Sequence, residues 1–270
     1  MIDWTNPQWS QIGKHFGLVL VILTGRYLVI AGGAFLYFWK WRREVWQDRR
    51  IQLSFPKSDT IRQEIKYSLI TTFIFGLVSL FLSYGRSRGW FLIYKDISEY
   101  GWIYFACSII ASVLLHDAYF YFAHRLMHTK WLFKHVHRVH HLSHNPTPFA
   151  AFSFHPTEAV LEAAILPLLL LFLPMHVSAL LVFMFLMTSL NVLGHLGYEV
   201  YPARFVKSKW TSWNNTSTHH NMHHHFVHCN YGLYFNWWDK LFKTNHPDYI
   251  SEFEKVTSRS QTETVGRKAA

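Results

Sequence analysis

The sequence predicts an all-α fold, an integral-membrane helical bundle that carries a cytoplasmic, histidine-rich helical cap. Three observations support this fold class. Several apolar runs approach or exceed the roughly 20 residues that cross a bilayer as a helix. Only 16% of the 270 residues are charged, against roughly 25% in a soluble domain. Finally, 17 of the 19 histidines lie between His116 and His228. We expect a single domain over residues 1–250 and a polar, mobile tail over residues 251–270.

The first three apolar runs each have the length of a membrane-spanning helix. They cover residues 16–39, 67–84 and 100–122. Arg26 lies inside the first of them, where a guanidinium needs a polar partner or a position facing the bundle interior. We therefore expect three spans before the histidine-rich stretch at residues 123–155.

A fourth apolar run, residues 159–193, is interrupted at residues 173–176 by a segment that contains Pro174. Proline ends or kinks a helix, and Pro167 is a second candidate for a kink in the first arm. Two arms of fewer than 20 residues fit a helical hairpin that enters and leaves the membrane on one face.

The cations favour one orientation of this bundle. The net charge is +10, and the strongest basic connector, residues 40–66, is expected in the cytoplasm. Alternation of the spans then brings the whole histidine-rich region to the same face. Because the cations lie in short connectors rather than on one polar surface, the sequence indicates a membrane protein and argues against nucleic-acid binding.

The histidines form three clusters with helical spacing. The first is His124 and His128, four residues apart; the second is His137, His140 and His141; the third is His220, His223 and His224. Residues separated by three or four positions share one face of a helix. These eight imidazoles exceed the four to six ligands of one transition metal and suit two ions. The sequence therefore predicts a dimetal site.

Other residues are candidates for the same site. His195 follows Asn191 by four residues at the end of the hairpin, so both could reach a metal. Asp117 precedes His124 by two helical turns and could orient an imidazole. Cys229 beside the third cluster is either a ligand or a neighbour. A His-Glu-x-x-His motif, which would indicate zinc-dependent hydrolysis, is absent from the sequence. An all-histidine site suits iron that activates dioxygen at a membrane surface.

Residues 115–245 resemble the fatty acid hydroxylase/sterol desaturase superfamily of integral-membrane di-iron enzymes, in its bacterial members. The matching stretches are Asp117-Ala-Tyr-Phe-Tyr-Phe-Ala-His124-Arg-Leu-Met-His128, His137-Arg-Val-His140-His141, Asn145-Pro-Thr-Pro, Phe154-His155-Pro-Thr-Glu158, Gly194-His195-Leu-Gly-Tyr198-Glu199, His219-His220-Asn-Met-His223-His224 and Asn230-Tyr231-Gly232 through Trp238-Asp239-Lys-Leu-Phe242.

The resemblance implies an O2-dependent hydroxylation or desaturation of a fatty-acyl or sterol-like lipid by two iron ions, with zinc an expected substitute in purified protein. It implies that the eight clustered histidines and His195 are ligands, and it adds His155 and His219 as motif positions on the metal or the substrate side. No His-Pro-Gly-Gly haem motif is present, so a separate ferredoxin or cytochrome b5-like protein is the expected electron donor. The expected location is the bacterial inner membrane.

Two other functions fit the histidine clusters. One keeps the two metals and changes the reaction, as in ether-lipid cleavage or another lipid monooxygenation. The other is a histidine-rich metal transporter or sensor. Transport predicts ionisable residues within the spans, and Arg26 is the only clear mid-span charge before the clusters, which disfavours a transporter.

Overall fold

The computed structural model describes residue 2 and residues 4–268, with side chains as far as residue 259. Helices dominate this part of the chain. They are α1 (Trp9–Tyr27), continued by π-helical turns at Leu28–Gly32 and Phe35–Trp41, α2 (Arg43–Trp46), α3 (Ser58–Ser87), α4 (Gly101–Met127), α5 (Lys130–Leu132), α6 (Pro156–Ala163), α7 (Ile165–Phe172), α8 (Val177–Gly194), α9 (Ser217–Phe226), α10 (Trp237–Leu241) and α11 (Tyr249–Lys268).

Among the described residues, four helical segments are long and apolar enough to cross a membrane. They are Trp9–Trp41, Ser58–Ser87, Gly101–Met127 and Val177–Gly194. The three apolar runs predicted before the clusters lie inside the first three of these segments to within one residue, and the predicted all-α bundle of membrane-spanning helices is confirmed.

The predicted hairpin is also present, with α6 and α7 as one arm and α8 as the other. Its turn includes Met175–His176 (β2), which pairs in parallel with Ile93–Tyr94 (β1). The first arm breaks at Ala164, between α6 and α7. Pro167 has no N–H to donate to the carbonyl of Ala163, four residues earlier, where α6 ends, so the break lies where a kink caused by Pro167 is expected.

The loop after the second histidine cluster is held by the membrane helices. The hydroxyls of Tyr27 and Ser68 donate to the Phe149 carbonyl at 3.0 and 2.8 Å. The Thr147 hydroxyl donates to the buried Glu64 carboxyl at 2.5 Å. A buried carboxyl is costly unless it is hydrogen-bonded. These contacts therefore fix the position of the loop against α1 and α3.

The basic connector lies at the histidine end of the bundle. The Glu199 backbone N–H donates to the Arg49 carbonyl at 2.8 Å. The Gln52 amide donates to the Asn221 side chain at 2.8 Å. The connector and the third cluster therefore lie on the same face, as the count of spans predicted.

The C-terminal segment differs from the expectation of a mobile tail after residue 250. Residues Tyr249–Lys268 form one helix, and Phe253 and Val256 are buried. Phe253 packs with Tyr249 against Met222 of α9 and Val206. The few apolar side chains in this polar segment fall on one helical face, so the expectation is wrong for its first half. Residues 269–270 lie outside the described residues.

Candidate metal centre

Nine histidine side chains from different parts of the chain meet at the end of the helical bundle. His124 and His128 end α4; His137 ends a π-helical turn at Phe133–His137; His140 and His141 lie in the short 3-10 turn His140–Leu142; His195 follows α8; and His220, His223 and His224 lie on α9. All nine are buried. The third cluster is α-helical as predicted, whereas the second has no regular α-helix.

These imidazoles separate into two groups. Within each group, the candidate ligand nitrogens lie within 4.8 Å of one another. The five-histidine group consists of His124, His128, His137, His141 and His223, and the four-histidine group consists of His140, His195, His220 and His224. Each group could hold a metal ion. The structure thus brings together the nine histidines that the sequence singled out.

The second and third clusters each contribute to both groups. His137 and His141, four residues apart, belong to the five-histidine group, whereas His140 belongs to the other. On α9, His220 and His224 share the four-histidine group and His223 points into the five-histidine group. A separation of four residues keeps two side chains on one face of a helix. Each of these two clusters therefore contributes candidate ligands to both sites.

Burial keeps these histidines in the neutral form. It lowers the pKa of His195 to about 4. Burial first, and repulsion by neighbouring imidazoles second, also hold the pKa values of His137, His223 and His224 well below the usual range. A neutral imidazole has a lone pair to offer to a metal. The groups are therefore ready to bind a cation near neutral pH.

Backbone carbonyls orient three of the imidazoles. The Nδ1–H groups of His124, His195 and His223 donate to the carbonyls of Tyr231, Asn191 and Cys229 at 2.9, 2.8 and 2.6 Å. A carbonyl can only accept, which assigns the proton to Nδ1. The Nε2 atom of each ring is therefore a bare lone pair that points into its group.

The spacing of the Nε2 atoms fits a bound cation. The Nε2 atom of His195 lies 3.3, 3.0 and 3.2 Å from the Nε2 atoms of His140, His220 and His224. One lone pair cannot accept three hydrogen bonds, so hydrogen bonding alone does not account for the cluster. Two ligands at right angles on a metal with bonds of about 2.1 Å lie about 3.0 Å apart. The observed separations match this donor arrangement.

Carboxylates surround the five-histidine group. Glu158 is buried and its Oε1 lies 2.6 Å from His137 Nδ1. Asp239 accepts hydrogen bonds from the Tyr231 and Gly232 N–H groups at 2.9 and 2.7 Å. Asp239 thereby holds the carbonyl that orients His124. At Gly232 a Cβ would lie 2.8 Å from that carboxylate, so only glycine fits.

Asp117 lies away from the imidazoles that the sequence assigned to it. It accepts hydrogen bonds from the Tyr234 and Phe235 N–H groups at 2.8 and 3.2 Å and from the Trp237 indole at 3.0 Å. It therefore fixes the segment that follows Tyr231. The prediction that Asp117 contacts an imidazole is wrong, because two helical turns carry its side chain toward that loop.

Three further candidates lie outside both groups. Asn191 donates its amide to the Ala151 carbonyl at 2.7 Å and contributes its backbone carbonyl to His195. His155 caps the start of α6, where its Nδ1 accepts from the Thr157 N–H. His219 is buried and lies 3.1 Å from the Asn245 side chain. The geometry supports a structural part for all three.

The sequence did not reveal the carbonyls of Tyr231 and Cys229 as partners of imidazoles. Main-chain acceptors leave no signature in residue identity. The Cys229 thiol itself is in neither group. Val227, which precedes this carbonyl, has a φ of +69°, a conformation that is rare for a β-branched residue.

An apolar cleft lies in the bundle interior, beside the imidazoles. Its walls include Phe75, Leu82, Phe152, Met184 and Met187, and its cavity volume is about 120 Å³. Two aromatic wall residues lie against the metal groups. The Phe120 ring lies 4.8 Å from that of His124, and the Phe154 ring 5.2 Å from that of His140. The cleft therefore comes within one layer of side chains of both groups, although none of the nine histidines lines it.

Arg26 faces this cleft, which confirms the expected position inside the bundle. Its Nε and Nη2 atoms are buried and have no hydrogen-bond partner among the described residues. Glu162, His116 and Asn191 also line the cleft. The apolar cleft thus has a polar patch, which the sequence did not predict.

Comparisons with known proteins agree with the geometry. A Delta(7)-sterol 5(6)-desaturase of Gibberella zeae is 33% identical over 71% of this chain and 58% of its own length. Lathosterol oxidase of Rattus norvegicus is 34% identical over 61% of this chain and 53% of its own. Methylsterol monooxygenase 1 of Rattus norvegicus is 28% identical over 59% and 54%. The chain spans a little over half the length of these relatives.

No solved structure matches the chain significantly. The sequence pattern of the fatty acid hydroxylase family matches residues 109–244. This match covers half of the chain and contains all nine histidines of the two groups. The protein therefore belongs to the fatty acid hydroxylase family.

Proposed function

We propose that this protein is an integral-membrane oxygenase that binds two iron ions and hydroxylates or desaturates a lipid C–H bond with O2 and external electrons. One observation carries the proposal: two groups of buried neutral imidazoles lie beside an apolar cleft among membrane-spanning helices. The three relatives are named for oxidation of sterols, which supports a lipid substrate.

The protein's part in this reaction is to position the metals and the substrate. Bound iron would supply the oxidising power toward O2 and the C–H bond. The carbonyls of Asn191, Tyr231 and Cys229 hold three imidazoles in the orientation that binding requires. Phe120 and Phe154 form an apolar wall beside the two groups, which keeps water away and directs a lipid chain toward them.

Hydroxylation and desaturation use the same inputs. Hydroxylation converts R–H, O2, two electrons and two protons into R–OH and water. Desaturation removes two hydrogens from adjacent carbons, with the same O2, electrons and protons, and gives an alkene and two waters. The relatives include both a desaturase and a monooxygenase, so the product decides between these reactions. Cleavage of an ether lipid after hydroxylation is a variant of the hydroxylation reaction.

The proposed location is the bacterial inner membrane, with the metal groups in the cytoplasm. The basic connector supports this side, because Arg49 and Gln52 lie against the histidine end. A surface hollow there is lined by His128, His141, Lys130 and Arg138. We propose that a separate ferredoxin or cytochrome b5-like protein delivers electrons near this hollow.

Product analysis tests the function. The iron-loaded protein would receive extracted membrane lipids, a reductant, a ferredoxin and ¹⁸O2, and the lipids would be analysed by mass spectrometry. The proposal expects either one labelled oxygen or a loss of two hydrogens, and neither without reductant. Unchanged lipids in the presence of iron, reductant and oxygen would contradict it. His135→Ala, an exposed histidine on the same stretch, serves as the control variant and should remain active.

A further inference from the structure

A second surface hollow lies at the end of the first membrane segment, Trp9–Trp41. Its volume is about 860 Å³, and its walls include Lys40 and Trp41, the last two residues of that segment. We call it the arginine hollow, because Arg43 and Arg50 of the basic connector also line it. None of the nine histidines of the two metal groups is in its walls, so metal chemistry does not account for it.

The two arginines of this hollow share one aromatic ring. The guanidinium carbons of Arg43 and Arg50 lie 4.2 and 3.7 Å from the centre of the Phe55 ring, so both cations can attract the same anion. Burial lowers the pKa of Arg50, the nearby Tyr198 phenol partly offsets this, and repulsion by Arg43 and Arg259 lowers the pKa further. A bound anion would relieve that repulsion.

Carboxylates do not neutralise the two arginines. Glu44 and Asp48 also line the arginine hollow, but neither forms an ion pair with either arginine, and the ion pairs of the described residues lie elsewhere. Lys40 is a third cation in the walls. Arg259 is a fourth, since its guanidinium donates to the Arg50 carbonyl. Cations therefore outnumber carboxylates here, and the excess lies around Arg50.

Two buried donors at this place have no partner. The Tyr198 side chain is fully buried, and its hydroxyl and the Arg50 Nε have no hydrogen-bond partner among the described residues. The two residues are neighbours, because an antiparallel bridge joins their backbones. A buried polar group without a partner is costly and calls for an explanation such as an ion. A guanidinium can only donate and a phenol can donate, so a ligand with several acceptor oxygens would satisfy both.

The surroundings of the arginine hollow favour a ligand that belongs to the membrane. Trp41, Leu53 and Phe55 line it and are exposed apolar side chains. Aromatic and basic side chains mix in this way at the membrane interface, where basic clusters beside a membrane helix recognise anionic lipids. A free phosphate ion would leave the apolar side chains in water, whereas the glycerol and acyl chains of a lipid would cover them.

We propose that Arg43, Arg50 and Tyr198 bind the phosphate group of an anionic phospholipid at the membrane interface. The ligand is anionic as a whole, because the positive end of a zwitterionic headgroup would be repelled by the excess of cations. This lipid site goes beyond the proposed oxygenase function and does not depend on it. The arginine hollow and the apolar cleft beside the metal groups have no wall residue in common.

The lipid site adjoins the segment that follows the ligand His195. The Ile51 N–H donates to the Gly197 carbonyl at 3.0 Å, and the Glu199 N–H donates to the Arg49 carbonyl at 2.8 Å. These two bonds flank the lipid site on both backbone segments. A lipid bound only to the folded protein stabilises it, so we expect an anionic phospholipid to raise the thermal unfolding midpoint.

Native mass spectrometry of the full chain in detergent micelles tests the lipid site. The protein would be titrated with phosphatidylglycerol, with phosphatidylcholine of the same acyl chains, and with glycerol 3-phosphate, which has the phosphate without the acyl chains. A basic residue at a membrane surface changes the affinity for an anionic lipid about fivefold. With two arginines, we expect phosphatidylglycerol to bind about 20-fold more tightly than either other ligand. Equal affinity for phosphatidylcholine would overturn the anion site, and equal affinity for glycerol 3-phosphate would overturn a lipid as its ligand.

Charge substitutions assign the preference to the arginine hollow. Arg43→Gln and Arg50→Gln should each lower the affinity for phosphatidylglycerol about fivefold and leave that for phosphatidylcholine unchanged. Arg62→Gln is the matched control, because it removes the same charge from an exposed position outside the hollow, and it should change neither affinity. A loss as large in Arg62→Gln as in Arg50→Gln would reduce the effect to net charge and refute the lipid site.

Tyr198→Phe separates lipid binding from a structural role. The substitution removes a buried hydroxyl that has no partner, so the lipid-free protein should keep or gain thermal stability. The affinity for phosphatidylglycerol should fall about 10-fold, because the phosphate loses a hydrogen bond. Unchanged affinity in Tyr198→Phe would refute the site as proposed. If an arginine variant does not fold, the three ligands on the unmodified protein still decide the inference.

Discussion

The two histidine groups share three sequence clusters but differ in how firmly the protein holds them. In the five-histidine group, three rings have an Nδ1 partner: Tyr231 for His124, Glu158 for His137 and Cys229 for His223. In the four-histidine group, only His195 has one of ordinary geometry. The Nδ1 atoms of His220 and His224 have no partner among the described residues, and His140 has at most a weak contact with the Ser153 backbone.

This difference indicates two metal sites of unequal rigidity. Partners on the far side of an imidazole fix its orientation and raise its basicity. The five-histidine group is therefore built for tight binding. The four-histidine group has fewer ligands and fewer fixed rings, so we expect it to bind its ion more weakly and to leave more of the coordination shell open.

The largest expected effect comes from removing a ligand of the four-histidine group. His140→Ala should reduce metal content from about two ions toward one per chain, because the group expected to bind its ion more weakly then loses one of its four imidazoles. Lipid turnover should fall below detection. Metal analysis and the lipid assay on the same preparation measure both effects. Retention of two ions by His140→Ala would remove His140 from the site, whereas His135→Ala should match the unmodified protein.

Chelation should remove the metal ions of the two groups in separate steps. A chelator added to the fully loaded protein is expected to extract the ion of the four-histidine group first, with an affinity difference of about tenfold or more. Metal remaining on the protein, followed against chelator concentration, should show two steps. A single step that removes both ions together would contradict the difference in rigidity.

Glu158→Gln should reduce the difference in metal affinity between the two histidine groups. The substitution weakens the contact that orients His137 and is expected to lower the affinity of the five-histidine group by about 10- to 100-fold. The first chelation step should stay in place while the second moves toward it. Glu162→Gln, one turn along α6, is the matched control, because Glu162 touches no imidazole. Equal chelation curves for both variants would argue against a role for Glu158 in metal binding.

Asp239→Asn should lower the stability of the protein and should have little effect on metal binding at the four-histidine group. The carboxylate accepts from Tyr231, Gly232 and Thr244, and an amide would turn a donor toward one of these donors. The expected loss is about 1–3 kcal/mol of the free energy of unfolding, with weaker binding at the five-histidine group through His124. The thermal unfolding midpoint measures the loss. Asp248→Asn, at an exposed position, should leave that midpoint unchanged.

The smallest expected effect concerns the turn after α9. Val227 has a φ of +69°, which a β-branched side chain adopts only under strain. Val227→Gly should remove that strain and raise stability by up to about 1 kcal/mol, after the entropy cost of glycine is subtracted. Metal content should not change, since the Cys229 carbonyl stays in place. A clear loss of stability would show that the Val227 side chain contributes packing that outweighs the strain.

The sequence predicted the helical class, the spans, the hairpin and the nine histidines, because hydrophobic length and the spacing of histidines both act locally. It did not predict how the nine separate into groups. His140 lies in a different group from its cluster neighbours His137 and His141. His223 likewise lies in a different group from His220 and His224. This division depends on how distant segments dock. The carbonyl partners, Tyr231 and Cys229, were equally invisible because every residue has a carbonyl.

The errors have a common physical cause. Asp117 was assigned to an imidazole by counting turns along α4, but its carboxylate binds the N–H groups of Tyr234 and Phe235. The segment after residue 250 was expected to be mobile because it is polar, but Phe253 and Val256 suffice to dock it. In both cases a partner far away in sequence decides the structure, and local patterns do not encode that partner.

Iron counting combined with O2 use tests the central claim most directly. The protein would be purified without oxygen, its iron per chain measured, and O2 consumption then followed with reductant and extracted membrane lipids. Our account predicts about two iron ions per chain and O2 consumption that depends on both reductant and lipid. One ion per chain, or two ions with no use of O2, would contradict it.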